Sequence, residues 1–316
     1  MSSEIARRLP RPAVAGGVAA RWREVVRAYV ALTKPRIIEL LLITTVPAML
    51  LAARDLPSLD PWRLVWLTLV TLVGGTLAAG SANAINCYWD RDIDEIMART
   101  RRRPLPAHVV SPESALRFGV ALGAAGCGLL WLLVNPLASV LTLAAIGIYV
   151  IVYTILLKRT TPQNIVIGGA AGALPPMIGW AAVTNEISLA SLLLFVIVFT
   201  WTPPHFWALS IRLRNDYAAA RVPMLPVVRG VEATNRQIVL YSVVLVALTL
   251  ALIPVASMGL IYVGGSIILG AWFLADVARL WHDDGRHAIR AYRSSITYLG
   301  GLFAVVALDA LLTIRV

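Results

Sequence analysis

Three oxygen-bearing side chains recur at every fourth position just after a long apolar segment. They are Asn86, Asp90 and Asp94, and a spacing of four residues places them on one face of a helix, about one turn apart. Amide and carboxylate oxygens are ligands that Mg²⁺ accepts, and bound Mg²⁺ often bridges to phosphate oxygens. The spacing therefore predicts a Mg²⁺-diphosphate site. The alternative is a solvated, salt-bridged helix end.

Basic residues follow the acidic segment directly. The stretch 99–103 reads Arg-Thr-Arg-Arg-Arg, and guanidinium groups bind phosphate oxygens through paired, charge-assisted hydrogen bonds. These arginines are therefore predicted to hold the phosphate charge that a metal ion leaves uncompensated.

The elements that must position these residues lie in a membrane. Hydrophobic residues make up 59% of the chain and charged residues only 14%, whereas soluble domains have about a quarter charged. A transmembrane helix needs about 20 apolar residues, and nine such segments are predicted: 36–53, 63–86, 114–134, 137–157, 163–183, 188–210, 237–256, 259–280 and 294–313. We expect an all-α integral membrane protein, a bundle of about nine helices around a central cavity open near the cytoplasmic side.

The distribution of basic residues predicts the orientation. Of the 28 Lys and Arg residues, only Arg54, Arg63 and Arg315 fall on the side opposite the long connections. The positive-inside rule places the N-terminus in the cytoplasm and the C-terminus outside. The net charge of +11 is thus explained by the basic residues that orient the chain in the membrane. Because the charges are spread over many loops, a nucleic-acid partner is not expected.

The first residues of the chain differ from the rest. Residues 1–30 are predicted to be a flexible cytoplasmic arm, and 31–316 the transmembrane domain. The arm lacks a cleavable apolar core, so no secretory signal is predicted, and a bacterial inner membrane is the expected location. Cys87 and Cys127 suggest neither a disulfide framework nor a thiolate metal site.

Two further helices carry unusual residues. Glycines and alanines at 168–173 could serve tight helix packing or line a cavity. The stretch 201–207 reads Trp-Thr-Pro-Pro-His-Phe-Trp; its His205 could bind a flat aromatic ligand or simply be hydrogen-bonded within the protein. A second polar stretch, 212–217, contains Asp216 and resembles a divergent repeat of the first. Charges near a membrane suggest a functional site.

Several motifs together resemble the intramembrane aromatic prenyltransferase superfamily, and more closely its branch that farnesylates heme. The motifs appear here in the expected order as Thr33-Lys34-Pro35-Arg36, Asn86-Cys87-x-x-Asp90-Arg91-Asp92-Ile93-Asp94, Met97-x-Arg99-Thr100-x-x-Arg103-Pro104-Leu105-Pro106, Tyr153-Thr154-x₃-Lys158-Arg159-x-Thr161-x₂-Asn164, Trp201-Thr202-Pro203-Pro204-His205-Phe206-Trp207 and Asp216-Tyr217-x₄-Val222-Pro223-Met224-Leu225-Pro226. The first aspartate motif is typical of the whole superfamily. The Pro-Pro-His-Phe-Trp and Val-Pro-Met-Leu-Pro stretches discriminate far better.

The resemblance implies that farnesyl diphosphate donates its chain to a vinyl group of protoheme IX (heme b), with addition of water, giving heme O and diphosphate. Heme would be a substrate, and Mg²⁺ the cofactor. The implied metal ligands are Asn86, Asp90, Asp94 and Asp216. The leaving group would be neutralised by Arg102, Arg103, Lys158 and Arg159. The remaining implied substrate-binding residues are Tyr153, His205, Trp207 and Arg212. Heme A synthase or a terminal oxidase would be consistent recipients of the product.

The sequence departs from the branch at three positions. Arg221 and His108 stand where glycine is usual, and Asp216 is the only acidic residue left of a second aspartate pair. Two other functions stay open at this point. A prenyltransferase could act on 4-hydroxybenzoate or another quinone precursor. A transporter would also have intramembrane charges, although here they cluster at one end.

Overall fold

Helices are the only regular secondary structure among the residues that the structure describes. This computed structural model describes residues 18–312, and the side chains of all of these except 18–21 and 36–42. The α-helices are α1 (Val18–Thr33), α2 (Pro35–Arg54), α3 (Pro61–Trp89), α4 (Arg91–Ile96), α5 (Pro112–Leu133), α6 (Pro136–Gly147), α7 (Asn164–Thr184), α8 (Leu189–Arg212), α9 (Arg214–Ala219), α10 (Leu225–Val228), α11 (Gly230–Val255), α12 (Leu260–Val277) and α13 (Ala288–Leu312). A π-helix, Ile148–Leu157, continues α6, and a 3₁₀ turn, Ala278–Leu280, continues α12.

Eight helices in the described part of the chain are long and apolar enough to cross a membrane. They are Pro61–Trp89, Pro112–Leu133, Pro136–Leu157, Asn164–Thr184, Leu189–Arg212, Gly230–Val255, Leu260–Leu280 and Ala288–Leu312. Each corresponds to one predicted segment, so the prediction of a multi-pass helical bundle is confirmed. The other predicted segment, 36–53, lies in α2, whose described apolar part is Ile43–Arg54.

The starts of several spans are encoded by a capping residue followed by proline. Asp60 accepts a hydrogen bond from the backbone N–H of Arg63 ahead of α3, and Ser111 does the same for Ser114 ahead of α5. Each cap is followed by a proline at the first helical position, where no backbone donor is lost. These caps place the helix starts two residues before the predicted apolar segments.

Glycine sets the close approach of the central helices. A side chain at Gly126 of α5 would lie 2.8 Å from the carbonyl oxygen of Gly74 in α3. In α7, a Cβ at Gly168 would meet Tyr153 at 2.8 Å, and one at Gly169 would meet Thr202 at 2.9 Å. Of the two alternatives for the glycine-rich stretch, close packing is therefore observed at both positions. Helix α7 consequently lies between the π-helix and α8.

Helix α1 occupies part of the region expected to be a flexible arm. Residues 18–30 are helical, and α1 packs on α3 through the buried side chains of Ala28 and Leu32. Its apolar and basic residues alternate at helical spacing, and this pattern stabilises a helix once one face is buried. The predicted arm therefore contains a helix, and its flexibility stays a prediction. Residues 1–17 lie outside the described residues.

Candidate functional site

Asn86 lies at the end of α3 and connects three elements. Its amide nitrogen donates to Asp90 Oδ2 at 2.7 Å and to Thr154 Oγ1, in the π-helix, at 3.0 Å. Its amide oxygen accepts a hydrogen bond from Lys34 Nζ, between α1 and α2, at 2.8 Å. These partners fix the orientation of the amide, with the oxygen towards the lysine and the nitrogen towards the carboxylate.

Asp90 ends α3 and is completely buried. Lys158 Nζ, just after the π-helix, donates to its Oδ2, and Arg159 Nη2 lies 3.7 Å from its Oδ1. Oδ1 itself has no hydrogen-bond partner among the described residues. A buried anionic oxygen without a donor is costly, so this atom is available to a ligand.

Asp94 is the third member of the predicted set and lies in α4. Arg103 Nη1 donates to both of its carboxylate oxygens, at 3.0 and 2.8 Å. The connection that carries this arginine is held in turn by Thr100, whose hydroxyl donates to the Asp94 carbonyl oxygen at 2.9 Å. The structure thus brings Arg103 to the acidic cluster, whereas Arg102 is exposed.

Arg159 lies at the border between the buried cluster and the surface. Its two terminal nitrogens donate to the two carboxylate oxygens of Asp92 at 2.7 Å each. These hydrogen bonds hold the pKa of Asp92 below its ordinary value. Because Asp92 is 61% exposed, this paired interaction contributes little to stability. It does fix the guanidinium beside Asp90.

Asp216 lies in the short helix α9 and is half-buried. The connection after α9 packs against α4: Ala220, Val222 and Met224 are buried in one cluster with Ile93 and Met97. The two polar stretches that looked like a divergent repeat therefore contact each other through apolar side chains. Arg212, at the end of α8, is exposed.

The structure packs His205 and Trp207 against side chains of neighbouring helices. The His205 ring stacks between Trp201 and Tyr292, with centroid distances of 4.2 and 4.7 Å, and Nδ1 is 2.8 Å from Ser295 Oγ in α13.

Trp207 is buried edge-on against Tyr241 of α11, at 5.3 Å between ring centroids. These contacts belong to the interfaces of α8 with α11 and α13. Tyr153, by contrast, is in the π-helix beside the cluster, with its ring centroid 6.0 Å from Lys158 Nζ.

The residues of the cluster fit a hard divalent cation in their chemistry. Asn86, Asp90 and Asp94 offer only oxygen ligands, and the unpartnered Oδ1 of Asp90 is one of them. The basic side chains around them match a ligand that brings its own negative charge. No group of three His, Cys, Asp or Glu side chains positioned to hold a metal ion is found among the described side chains. The amide of Asn86 and a phosphate ligand would have to complete the coordination shell.

Two residues of the site were not assigned from the sequence. Lys34 and Thr154 both contact Asn86, although they are 52 and 68 residues away from it in the sequence. The signal that could have found Lys34 is its position directly before Pro35. Its backbone has a positive φ of 53°, which is uncommon for a residue with a side chain, and this conformation directs the chain from α1 into α2.

Together, these features define a multi-pass membrane protein with a buried acidic and basic cluster suited to a metal-bound, phosphorylated ligand. Residues 41–301 match the UbiA prenyltransferase family. The chain belongs to this family.

Similarity to individual proteins extends over almost the whole chain. A protoheme IX farnesyltransferase of Parafrankia sp. (strain EAN1pec) is 54% identical over 300 residues, which cover 94% of each chain. One of Frankia alni is 54% identical over 289 residues, covering 90% of this chain and 98% of the relative.

Solved structures share the fold. A digeranylgeranylglyceryl phosphate synthase superposes with a TM-score of 0.74 at 17% identity, over 91% of this chain and 99% of the other. A UbiA homologue from Archaeoglobus fulgidus bound to geranyl diphosphate (GPP) and Mg²⁺ superposes with a TM-score of 0.59 at 16% identity. The superposition covers 89% of this chain and 99% of the other. The family membership makes the transporter alternative untenable.

Proposed function

We propose that this protein transfers the farnesyl group of farnesyl diphosphate to a vinyl group of protoheme IX, with addition of water, giving heme O and diphosphate. The observation that carries the reaction class is the buried cluster of Asn86, Asp90 and Asp94 with its basic partners. The choice of acceptor rests on the relatives, which are named protoheme IX farnesyltransferases and span nearly the whole chain.

The diphosphate is the part of the donor that the cluster binds. Bound Mg²⁺ would supply positive charge to the diphosphate oxygens, and Asn86, Asp90 and Asp94 would hold it, with Asp216 on the facing segment. Lys158, Arg103 and Arg159 lie within hydrogen-bond or ion-pair distance of these carboxylates. They neutralise the charge that develops on the leaving group, an interaction that strengthens in the transition state. Arg102, the neighbour of Arg103 in the sequence, would assist.

The covalent steps need an environment without water until the carbon–carbon bond has formed. The allylic C–O bond breaks, and its electron pair leaves with diphosphate. The vinyl π electrons of heme attack C1 of the farnesyl group, and the resulting cation beside the porphyrin ring captures water and loses a proton. Apolar residues of the surrounding helices exclude water during the first two steps.

The same arrangement supports a proposal for the membrane orientation. The cluster lies at the end of the bundle where the long, arginine-rich connections gather, which the positive-inside rule places in the cytoplasm. We infer a bacterial inner-membrane protein with a cytoplasmic N-terminus and an external C-terminus. Farnesyl diphosphate would then reach the site from the cytoplasmic side, and transfer of product to heme A synthase or a terminal oxidase would follow.

Mass spectrometry of extracted heme tests the proposal. Purified protein is incubated with heme b, farnesyl diphosphate and Mg²⁺, in parallel with 4-hydroxybenzoate as the competing acceptor. We expect heme heavier by one farnesyl unit plus water, and no product without Mg²⁺ or with Asp90→Ala. Glu95→Ala, which removes an exposed carboxylate from the same segment, should retain activity. Prenylated benzoate with unchanged heme would reassign the acceptor, and activity in Asp90→Ala would overturn the role of the cluster.

A further inference from the structure

A buried asparagine lies one turn ahead of the acidic cluster in α3. Asn83 is 4% exposed, and its amide nitrogen donates to the backbone carbonyl oxygen of Thr33 at 2.9 Å. The hydroxyl of Tyr149, in the π-helix, donates to its amide oxygen at 3.4 Å. Asn83 therefore connects α3 to the end of α1 and to the π-helix, close to where Asn86 makes its own connections.

The carbonyl group that Asn83 binds belongs to the residue just before Lys34. Thr33 ends α1, and the last carbonyl groups of a helix have no donor within the helix. Lys34 follows with a φ of +53°, which a residue with a Cβ rarely adopts, and a residue before a proline prefers extended backbone. Such a conformation persists only where the surrounding structure holds it. The amide of Asn83 supplies a contact directly beside the strained residue.

The sequence of α3 places Asn83 where it can reach this carbonyl group. Gly80, Asn83 and Asn86 are spaced by three residues, so they lie along one side of the helix. A Cβ at Gly80 would lie 3.2 Å from Thr33 Cγ2, so α3 passes close to the end of α1. Asn86 accepts a hydrogen bond from Lys34 Nζ at 2.8 Å. The backbone ahead of the lysine and its ammonium group are thus held by successive turns of the same helix.

We propose that Asn83 is a positioning residue of the reaction: it holds the backbone turn at Lys34 so that the ammonium group stays at the amide oxygen of Asn86. This inference rests on the proposed function, because it assumes that the cluster containing Asn86 binds the diphosphate of the donor. Asn83 acts through Lys34 and not through a contact of its own with a substrate.

The turn matters because lysine has a long and flexible side chain. Its ammonium group is well placed only if the backbone that carries it is fixed. A displacement of about 1 Å in a group that positions a substrate can lower a rate by about 100-fold. Asn83 is one of several contacts at the turn, so we expect a smaller loss, of about tenfold, when its amide is removed.

Steady-state rates with each substrate varied in turn test the proposal. Asn83→Ala should lower kcat/KM for farnesyl diphosphate about tenfold and leave KM for heme b within a factor of two of wild type. Asn135→Ala is the matched control, because the amide of Asn135 also donates to a backbone carbonyl oxygen, that of Ala181 at 2.8 Å, at the opposite end of the bundle. It should lower the thermal midpoint and change neither constant.

A double-mutant cycle separates positioning from stability. Lys34→Met removes the ammonium group but keeps an unbranched side chain. If Asn83 acts through Lys34, Asn83→Ala should lower kcat/KM for farnesyl diphosphate by less than twofold in the Lys34→Met background, because coupled residues are not additive. Losses that multiply would overturn the proposal. An unchanged kcat/KM in the single variant Asn83→Ala would overturn it as well.

Tyr149→Phe keeps the test possible if Asn83→Ala does not fold. It removes only the hydroxyl that donates to the Asn83 amide, so kcat/KM for farnesyl diphosphate should fall about threefold, and this loss should also vanish in the Lys34→Met background. Calorimetry with Mg²⁺ and farnesyl thiolodiphosphate, an unreactive donor analogue, separates two kinds of failure. If wild-type protein binds the analogue but makes no heme O, the proposed acceptor is wrong, and the same cycle read on the dissociation constant tests Asn83.

Discussion

Two buried acidic residues at opposite ends of the bundle make different use of the same chemistry. At one end, Asp309 of α13 accepts hydrogen bonds from the backbone N–H groups of Gly259 and Tyr262, at 2.9 and 3.0 Å. Arg54, 3.9 Å away, donates to the carbonyl oxygens of Ala256 and Ser257. At the other end, the carboxylate of Asp90 accepts hydrogen bonds only from side chains, and one of its oxygens has no donor among the described residues.

The difference lies in whether each carboxylate can exchange its hydrogen-bond partners for a ligand. Backbone groups cannot move away without unfolding a turn, so the partners of Asp309 are permanent and its role is to join α13 to the start of α12. Lysine and arginine side chains can turn from a carboxylate to a phosphate at small cost. Burial of a charge alone therefore does not identify a ligand site. A buried charge whose partners are mobile side chains can exchange them for a ligand.

The largest effect expected from this comparison is on stability at the Asp309 end. Asp309→Ala leaves the buried backbone N–H groups of Gly259 and Tyr262 without their acceptor. It also removes one of the two carboxylates beside Arg54, which keeps Asp55 at 3.4 Å. Each buried donor left without an acceptor costs about 1–3 kcal/mol. The thermal midpoint in detergent should fall, while turnover per folded molecule stays normal. A variant with a normal midpoint and reduced turnover would remove the distinction between the two ends.

Lys158→Gln should give the opposite pattern. The amide of the introduced glutamine can still donate to Asp90, but the positive charge that stabilises the leaving diphosphate is lost. Removal of one such group lowers turnover by about 100- to 1,000-fold, and we expect the thermal midpoint to change little. Steady-state rates with saturating farnesyl diphosphate measure the loss. The control is Arg236→Gln, in an exposed ion pair with Glu232, which should leave the rate unchanged.

His205→Phe separates a packing role from a heme-binding role. Phenylalanine can keep the stacking between Trp201 and Tyr292 but loses the hydrogen bond to Ser295, which costs about 1 kcal/mol. If the ring serves packing, hemin affinity measured by Soret titration stays within a factor of two of wild type. The heme contact expected from the sequence stays a prediction, and a tenfold loss of affinity would support it.

The smallest effect concerns backbone strain in a connection. His108 has a φ of +57° and is exposed, so His108→Gly should stabilise the protein by up to about 1 kcal/mol without changing turnover. Lys34 has a similar φ of +53° but contacts Asn86, so Lys34→Gly should instead reduce turnover. Equal effects of the two substitutions on turnover would mean that the Lys34 side chain has no part in the site. Thermal midpoints and rates of both variants decide this.

The sequence was sufficient for the spans and for the acidic half of the site. Apolar segments report helices directly, because a membrane leaves no other way to satisfy the backbone. The spacing of Asn86, Asp90 and Asp94 placed all three in one cluster because it depends only on local helix geometry. The positive φ at His108 and Arg221 also gives a physical reason for the glycine that the resemblance led us to expect there.

The basic half of the site was harder to predict. The lysines that contact Asn86 and Asp90 are 52 and 68 residues away in sequence, and no periodicity connects residues so far apart. The sequence also could not show that His205 lies between two rings at the α8–α13 interface. That depends on how the helices rotate against each other. The predicted central cavity, and the roles of Tyr153, Trp207, Arg212 and Asp216 in binding substrate, stay predictions.

The π-helix makes the site sensitive to a change that hydropathy would not register. Thr154 lies within Ile148–Leu157 and Lys158 directly follows it, and both contact residues of α3. Deletion of one apolar residue ahead of them would leave the segment long enough to span the membrane. It would, however, turn everything downstream by about 100° in an α-helix. The geometry of the site therefore depends on the number of residues between Gly147 and Lys158 as well as on the lysine itself, and an engineered chimera must preserve that number.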